Sequence, residues 1–528
     1  MKKVSKLLAT TSVLGMAVVA AACSKTGGSG SGTLEMWVGF GNDYTGEITR
    51  VVGDYNNSGA SSYSINLTTK GAYTKLEKAI VDSFSGRSFP NFANGYPDHF
   101  AEYAHKQILI PLNSYIADWN QKNGKDLMKD FYEDYTKENE EIIYAKNSDT
   151  KYIMGLPFNK STEVMLCNGY LWDYVQYKNP SIEFPSTWQK LRDNKEKIIA
   201  AMADCFTNNY LYGTVNETTG KAENFDVGMS ETAPAGKRVL QDVSNVDANS
   251  FRVLGYDDGG NLFVTLMRQW GSLYTDFSKE IYFTQPAEYG CATFWRENYK
   301  GTNYKAITKD ALEFVKDLYV KKGLGLPQSF GESQFCTAPF KAGKCLFTVG
   351  SSGGLSNSVD ANKRIEIHEI PYYEEDGVVR KFVISQGTSL ALFNQFSDKS
   401  KAAAEQQAAF DAMVALCTGE YQGDWVSSTG YFPSSQSAMD STSYKALLND
   451  ANPTPLRKMY QEAAKLNKEE YTKEKGWTKF TDPGFYGSTT IRDAVGALIY
   501  NISTSTTTTL EQEVNTVWNK VPEQARNK

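Results

Sequence analysis

Gly350–Gly354 reads GSSGG and fits the GxSxG pattern of a serine nucleophile held on a strand-to-helix turn, with Ser352 as the nucleophile after CLFTV. Such a serine needs a histidine base. Only His368 lies downstream, in RIEIHEI, whose alternation reads as a strand interior. A secreted serine hydrolase acting through Ser352 is one reading. The other is a turn whose backbone N–H groups and the hydroxyls of Ser351 and Ser352 hold an anion or a hydroxylated ligand without catalysis. GFGNDYTG (39–46) has GxG spacing after a strand but no third glycine at the dinucleotide-binding offset. DYNNSG (54–59) begins like a calcium loop, but its twelfth position is Ile65 where a bidentate Glu is needed. Three histidines in all, and seven cysteines without a CxxC or zinc spacing, predict no metal site and no cofactor. Cysteines 167, 205, 291, 336, 345 and 417 read as small buried hydrophobes or as bridges of unreadable connectivity.

These residues sit in a pattern of alternating strands and helices. Leu34–Val38 and Ile65–Thr69 read as strands, PDHF (97–100) as a short third one, and Tyr44–Tyr55 and Thr74–Phe84 as helices. This β-α-β-α-β opening predicts an α/β fold with a mainly parallel sheet. Further on, Thr308–Lys322 reads as a helix with a Thr cap and a Gly323 stop; Ala402–Thr418, Thr490–Tyr500 and Leu510–Trp518 also read as helices. Leu346–Val349, Ile365–Ile370 and Ser389–Phe393 read as buried strands. Asp257-Asp258 reads as a solvated turn, and Trp270 in RQWGSLYTD as a ring that can stack on a sugar face.

Residues 1–22 carry Lys2, Lys3 and Lys6 ahead of a 16-residue, largely apolar stretch from Leu7 to Ala22. That is a signal-peptide pattern, short for a membrane span. Ala20–Ala22 lead straight into Cys23, and SKTGGSGSG follows as a flexible linker through Gly32. The pattern resembles a bacterial lipoprotein signal, with Ala20 where Leu is usual, and implies lipidation at Cys23 and an extracytoplasmic body anchored to the cell membrane. The 528 residues, 41% hydrophobic and 13% aromatic, suffice for two to three packed domains and exclude wholesale disorder. The net charge of −6 becomes −9 once residues 1–22 are removed, and no basic stripe marks a nucleic-acid partner.

Several segments in chain order resemble the extracellular solute-binding proteins of ABC importers, in the carbohydrate group that includes maltodextrin and glycerol-3-phosphate binders. They are NGYPDHFAEYA (94–104), YIMGLPFNKSTEVMLCN (152–168), FPSTWQKL (184–191), FKAGKCLFTVGSSG (340–353), TGYFPSSQSA (429–438) and GSTTIRDAV (487–495). The resemblance implies a monomeric, two-lobed periplasmic-binding-protein fold that closes on a solute and docks on a permease with its ATPase. Lobe one is expected at 33–158 plus 352–427, and lobe two at 159–351 plus 428–528. The ligand residues it implies are Tyr73, Ser161, Ser351 or Ser352, Gly387, Tyr431 and Arg492, with the glycerol-3-phosphate binder as nearest kin. An arginine in the first turn of a helix, where the dipole favours acids, points to an anionic group such as phosphate. The acidic residue that would hold glycerol hydroxyls has no clear counterpart at PDHF, where His99 or Phe100 stands. The extra sequence around 205–260 leaves a sugar, phosphorylated or not, as a further ligand.

Overall fold

The computed structural model describes residues 32–86, 88–140, 151–276, 292–394, 399–482, 484–485, 487–521 and 526. The signal segment, Cys23, most of the linker and Cys291 lie outside them.

The alternating apolar residues of LEMWV put Leu34, Met36 and Val38 on one buried face of strand Gly32–Val38. This strand pairs in parallel with Tyr63–Thr69 and Phe92–Gly95. Ser389–Leu392 and Leu156–Pro157 complete a five-stranded sheet. Helices Asn42–Asn57, Tyr73–Asp82 and Pro97–His105 follow the first three strands. PDHF, predicted as a strand, is instead the first turn of Pro97–His105, because Pro97 fits the first helical position and Asp98 suits the helix N-terminus. A second sheet of eight strands is built on Ser161–Asn168, which is buried throughout and flanked by Cys345–Ser351 and Val378–Gln386. The two sheets head two lobes.

Strands Ile365–His368, Tyr373–Glu375 and Val378–Gln386 hydrogen-bond within the larger sheet. The expectation that residues 352–427 belong wholly to lobe one is therefore corrected. The second passage between sheets falls at Gly387–Thr388, since the hydrophobic pattern of 365–386 cannot say which sheet it joins. The first passage is Phe158–Lys160, and a third runs near Tyr431–Ser435, where the Phe432 N–H donates to the Lys160 carbonyl (2.6 Å). These passages are tightly bound together. Trp425 Nε1 donates to Asn159 Oδ1 (2.8 Å), and Asn159 and Asn94 both donate to Thr388 Oγ1. Gly387 has φ +116°, and a Cβ there would lie 1.6 Å from the Asn159 carbonyl oxygen, so only glycine fits where two passages touch.

The sequence around 205–260 forms a three-stranded antiparallel sheet, Tyr210–Val215 between Ala222–Gly228 and Arg238–Asp242, and then strand Arg252–Tyr256 of the larger sheet. Helix Tyr304–Val320 begins earlier than predicted. Asn303, not Thr308, caps it by accepting the Ala306 N–H (3.0 Å), and Thr308 is buried inside it. The segment predicted as one helix, Thr490–Tyr500, is two, Ser488–Gly496 and Leu498–Thr504. Among the described residues no helix is long and apolar enough to cross a membrane.

Candidate functional site

Four helices begin at the cleft between the lobes, as expected at the ends of strands in open α/β sheets. Tyr73 is the first residue of Tyr73–Asp82, and Asp98 the second of Pro97–His105. Asp258 caps Gly259–Trp270 by accepting the Asn261 N–H (2.7 Å). Arg492 and Asp493 lie on Ser488–Gly496. The cleft holds two chambers, of about 350 Å³ and about 400 Å³, which share Tyr73, Tyr96, Asp258, Asn261 and Gln386.

The first chamber brings together Tyr73, His99, Gly387 and Arg492 of the predicted residues. The second brings together Tyr73, Ser161, Ser351 and Tyr431. Tyr73 and Tyr431 place their hydroxyls 3.4 Å apart, and Ser351 donates to Ser161 (3.1 Å). The ring of Tyr431 stacks on Trp425, which stacks in turn on Phe158. Gly353 passes directly over Tyr431, where a Cβ would come within 2.6 Å of the ring. Burial raises the phenols of Tyr73, Tyr96 and Tyr431 above the usual tyrosine range, so all three are neutral donors at physiological pH.

Two predicted residues lie outside the chambers. Trp270 is packed between Phe314 and Tyr373, with its indole N–H on Asp310 (3.1 Å), because its helix turns that face to the core. Ser352 is fully buried, and its hydroxyl accepts the Thr162 N–H (3.3 Å), tying the turn to strand Ser161–Asn168. His368 pairs with Glu366 (3.2 Å) and packs on Phe184; among the described residues no hydrogen bond joins it to Ser352. The geometry of a nucleophile and its base is not assembled. Cys167, Glu366 and His368 place donor atoms within 4.8 Å of one another on the larger sheet, the one such group among the described residues. Arg364, 3.2 Å from Glu366, already supplies positive charge there.

Charge is where the sequence reading falls short. Arg492 sits in the second turn of its helix rather than the first, so the dipole argument for an anion loses its basis. Its guanidinium donates to Asn261 Oδ1 and stands 3.9 Å from Asp482, which Arg268 also holds at 3.1 Å. Asp257-Asp258, read as a solvated turn, belongs to the cleft. Asp258 is solvent-exposed, as read, and lines both chambers, while half-buried Asp257 accepts the Cys336 N–H (2.7 Å). Burial pushes the Asp257 carboxyl up to about 7 and that of Glu163, which accepts from Tyr256 (2.5 Å), up to about 8. At PDHF the acidic lining residue is Asp98, while Phe100 is fully buried in the core. Alternation alone hid it, since the segment reads as a strand; the Pro-Asp helix start was the available signal.

The lining also holds buried polar atoms with no hydrogen-bond partner within the protein: Thr348 Oγ1, Ser385 Oγ, Gln386 Oε1 and Thr489 Oγ1.

A profile described as bacterial extracellular solute-binding protein matches residues 52–452. No curated protein matches the chain in sequence. Its fold is similar to the GacH receptor of Streptomyces glaucescens, solved unliganded and with acarbose and an acarbose homolog (12% identity, TM-score 0.62, covering 94% of this chain and 100% of that one). It is similar to UgpB of Mycobacterium tuberculosis with glycerophosphocholine (13%, TM-score 0.61, 94% and 98%). It is also similar to the maltose/maltodextrin-binding domain MalE of Bdellovibrio bacteriovorus with maltotriose (13%, TM-score 0.58, 94% and 100%).

Proposed function

The chain belongs to the bacterial extracellular solute-binding proteins, and from that premise we propose that it captures a carbohydrate-type solute, an oligosaccharide rather than a single sugar, and delivers it to an ABC permease driven by a separate ATPase. The unpartnered buried atoms of Thr348, Ser385, Gln386 and Thr489 carry this reading. A buried polar group without a partner costs about 1–3 kcal/mol, and a ligand with many hydroxyls satisfies several at once. Tyrosine rings at 73, 96, 274 and 431 between these atoms offer flat apolar faces to sugar rings. Two communicating chambers favour a ligand of more than one ring. Tyr73, Tyr96 and Asp98 come from lobe one, and Ser161, Asp258 and Arg492 from lobe two, so a bound solute favours closure by contacts on both sides. The solved relatives bind acarbose, glycerophosphocholine and maltotriose, in keeping with this class.

Arg492 keeps a second reading open, glycerol-3-phosphate or another phosphorylated polyol or sugar. Its surroundings disfavour it, since a phosphate reaching Arg492 meets Asp258, Asp482 and Asp98. A thermal-shift screen followed by calorimetry separates the two, using neutral oligosaccharides, sugar phosphates, glycerol-3-phosphate and polyols. The oligosaccharide reading expects a neutral glycan among the strongest hits. A phosphorylated best hit that is lost in Arg492→Ala would replace that reading with the phosphate one. Labelling of Ser352 by a fluorophosphonate would instead support hydrolysis. The reading includes a lipid anchor at Cys23, so Cys23→Ala is expected to release the protein from the cell membrane.

A further inference from the structure

The carboxylates of the first chamber exceed its cations. Glu138 is paired with Lys160 (2.5 Å), Asp482 with Arg268 (3.1 Å), and His99 stands 3.8 Å from Glu77. Asp98, Asp258 and Asp493 remain; Asp98 accepts the His99 backbone N–H (3.0 Å), and among the described residues none of the three has a lysine, arginine or histidine side-chain nitrogen within 4.0 Å. They are close enough to repel one another: burial first and then the charge of Asp98 raise the Asp493 carboxyl, His99 partly offsets this, and Asp258 adds to it. Asp98 lies in the first turn of Pro97–His105, and Asp258 caps Gly259–Trp270. The lining arginine, Arg492, donates to Asn261 and stands 3.9 Å from Asp482; it also feels the charges of Asp258 and Asp98, so one cation faces several carboxylates.

Two further observations point to a ligand. Tyr73 and Tyr96 meet edge to face at 5.1 Å in this chamber, and among the described residues no cation of the protein lies over either ring. Ser385, only 9% exposed, lines the same chamber with its hydroxyl unpartnered. Carboxylates beside aromatic faces, with hydroxyls to share, are the surroundings that favour an ammonium group over a neutral hydroxyl.

We propose that the first chamber takes a positively charged amino group carried by the solute, with Asp98, Asp258 and Asp493 as its counter-charges and the rings of Tyr73 and Tyr96 as its walls. The solute class is then an amine-bearing glycan. This rests on the reading of the cleft as a carbohydrate site and narrows it. The ammonium occupies the place where carboxylates outnumber the protein's own cations, while neutral parts of the glycan extend into the second chamber.

The test compares matched ligands by calorimetry on the whole extracytoplasmic chain: a glucosamine trimer, its N-acetylated counterpart, a neutral glucose trimer and glycerophosphocholine. The amine trimer is expected to bind about tenfold or more tighter than the acetylated and neutral trimers, a difference of about 1.4 kcal/mol or more. Asp98→Asn with Asp493→Asn is expected to bring that ratio close to one. Should the double variant fail to fold, salt gives an independent measure. Raising sodium chloride from about 20 mM to about 500 mM is expected to weaken the amine trimer several-fold and leave the neutral trimer unmoved. Neutral or acetylated trimers binding as well as the amine trimer would overturn the proposal and leave the carbohydrate reading standing. Glycerophosphocholine binding tighter than every trimer would assign the chamber to a quaternary ammonium and overturn the amino-glycan. No binding by any trimer would overturn both readings.

Discussion

Asp258 does two things with one carboxylate, and they can be separated. It accepts the Asn261 N–H as a helix cap, and it faces both chambers of the cleft. Removing a cap costs about 1 kcal/mol, whereas serine caps nearly as well as aspartate. Asp258→Ser is therefore expected to keep the melting temperature of the wild type and to lose ligand affinity. Asp258→Ala is expected to lower both. Calorimetric affinity measured beside a denaturation midpoint checks the split; equal loss of stability in the two variants would reduce Asp258 to a cap. Glu163 and Asp257 carry a pH signature. Their carboxyls rise through burial from ordinary values of 4.5 and 3.8 to about 8 and about 7. A raised folded-state value means the native state holds protons that the unfolded chain has released. The stability these groups contribute is thus complete below about pH 4 and is lost as pH rises through 7 to 8. Glu163→Gln keeps the acceptor for Tyr256 and removes the titration. Its melting temperature is expected to fall less than that of the wild type between pH 5 and pH 8. An unchanged slope would count against the burial of Glu163 as its cause. Neither acid was legible in the sequence: Glu163 looks like one residue of a strand and Asp257 like part of a turn, because burial depends on segments far away in the chain.

At the scale of elements, the passages between sheets are the most constrained part of the molecule. Gly387 combines a φ of +116° with a contact that leaves no room for a methyl group. Gly387→Ala is expected to cost well over 1 kcal/mol, since alanine is strained at positive φ and would also push the Asn159 carbonyl away. Chemical denaturation measures this, and a midpoint equal to that of the wild type would show that the passages have slack. The sequence marked Gly387 through its family resemblance, and helices with a clear 3.6-residue period, such as Leu510–Trp518, lie where periodicity puts them. Its failures share a cause. PDHF is a four-residue segment that does not choose between strand and helix without its cap signal, and the alternating Ile365–Ile370, a strand as expected over Ile365–His368, does not disclose its partner strand. The same limit misplaced the second passage at 352, since a chain that stays in one sheet and a chain that crosses have the same local pattern.

For the whole molecule, the proposed function rests on an equilibrium between open and closed lobes, and two hydrogen bonds join their rims. The Tyr44 hydroxyl, from helix Asn42–Asn57 of lobe one, donates to the Gly353 carbonyl of lobe two. On the other rim the Gly487 N–H donates to Glu102 (3.3 Å). Both hydrogen bonds run between the two lobes, so on that proposal an opening that separates the rims would break them and they favour the closed state. Tyr44→Phe removes one of them and keeps the ring that packs near Trp425 and Tyr431. A hydrogen bond of this kind is worth about 0.5–1.5 kcal/mol net, so solute affinity is expected to fall about two- to tenfold. The loss comes from a smaller closed fraction rather than from a lost ligand contact. Small-angle scattering distinguishes the two. The variant without solute is expected to show a larger radius of gyration than the wild type and to reach the same radius at saturating solute. A weaker affinity with unchanged radii would mean that Tyr44 touches the solute itself, and the latch would then have to be sought at Glu102 and Gly487.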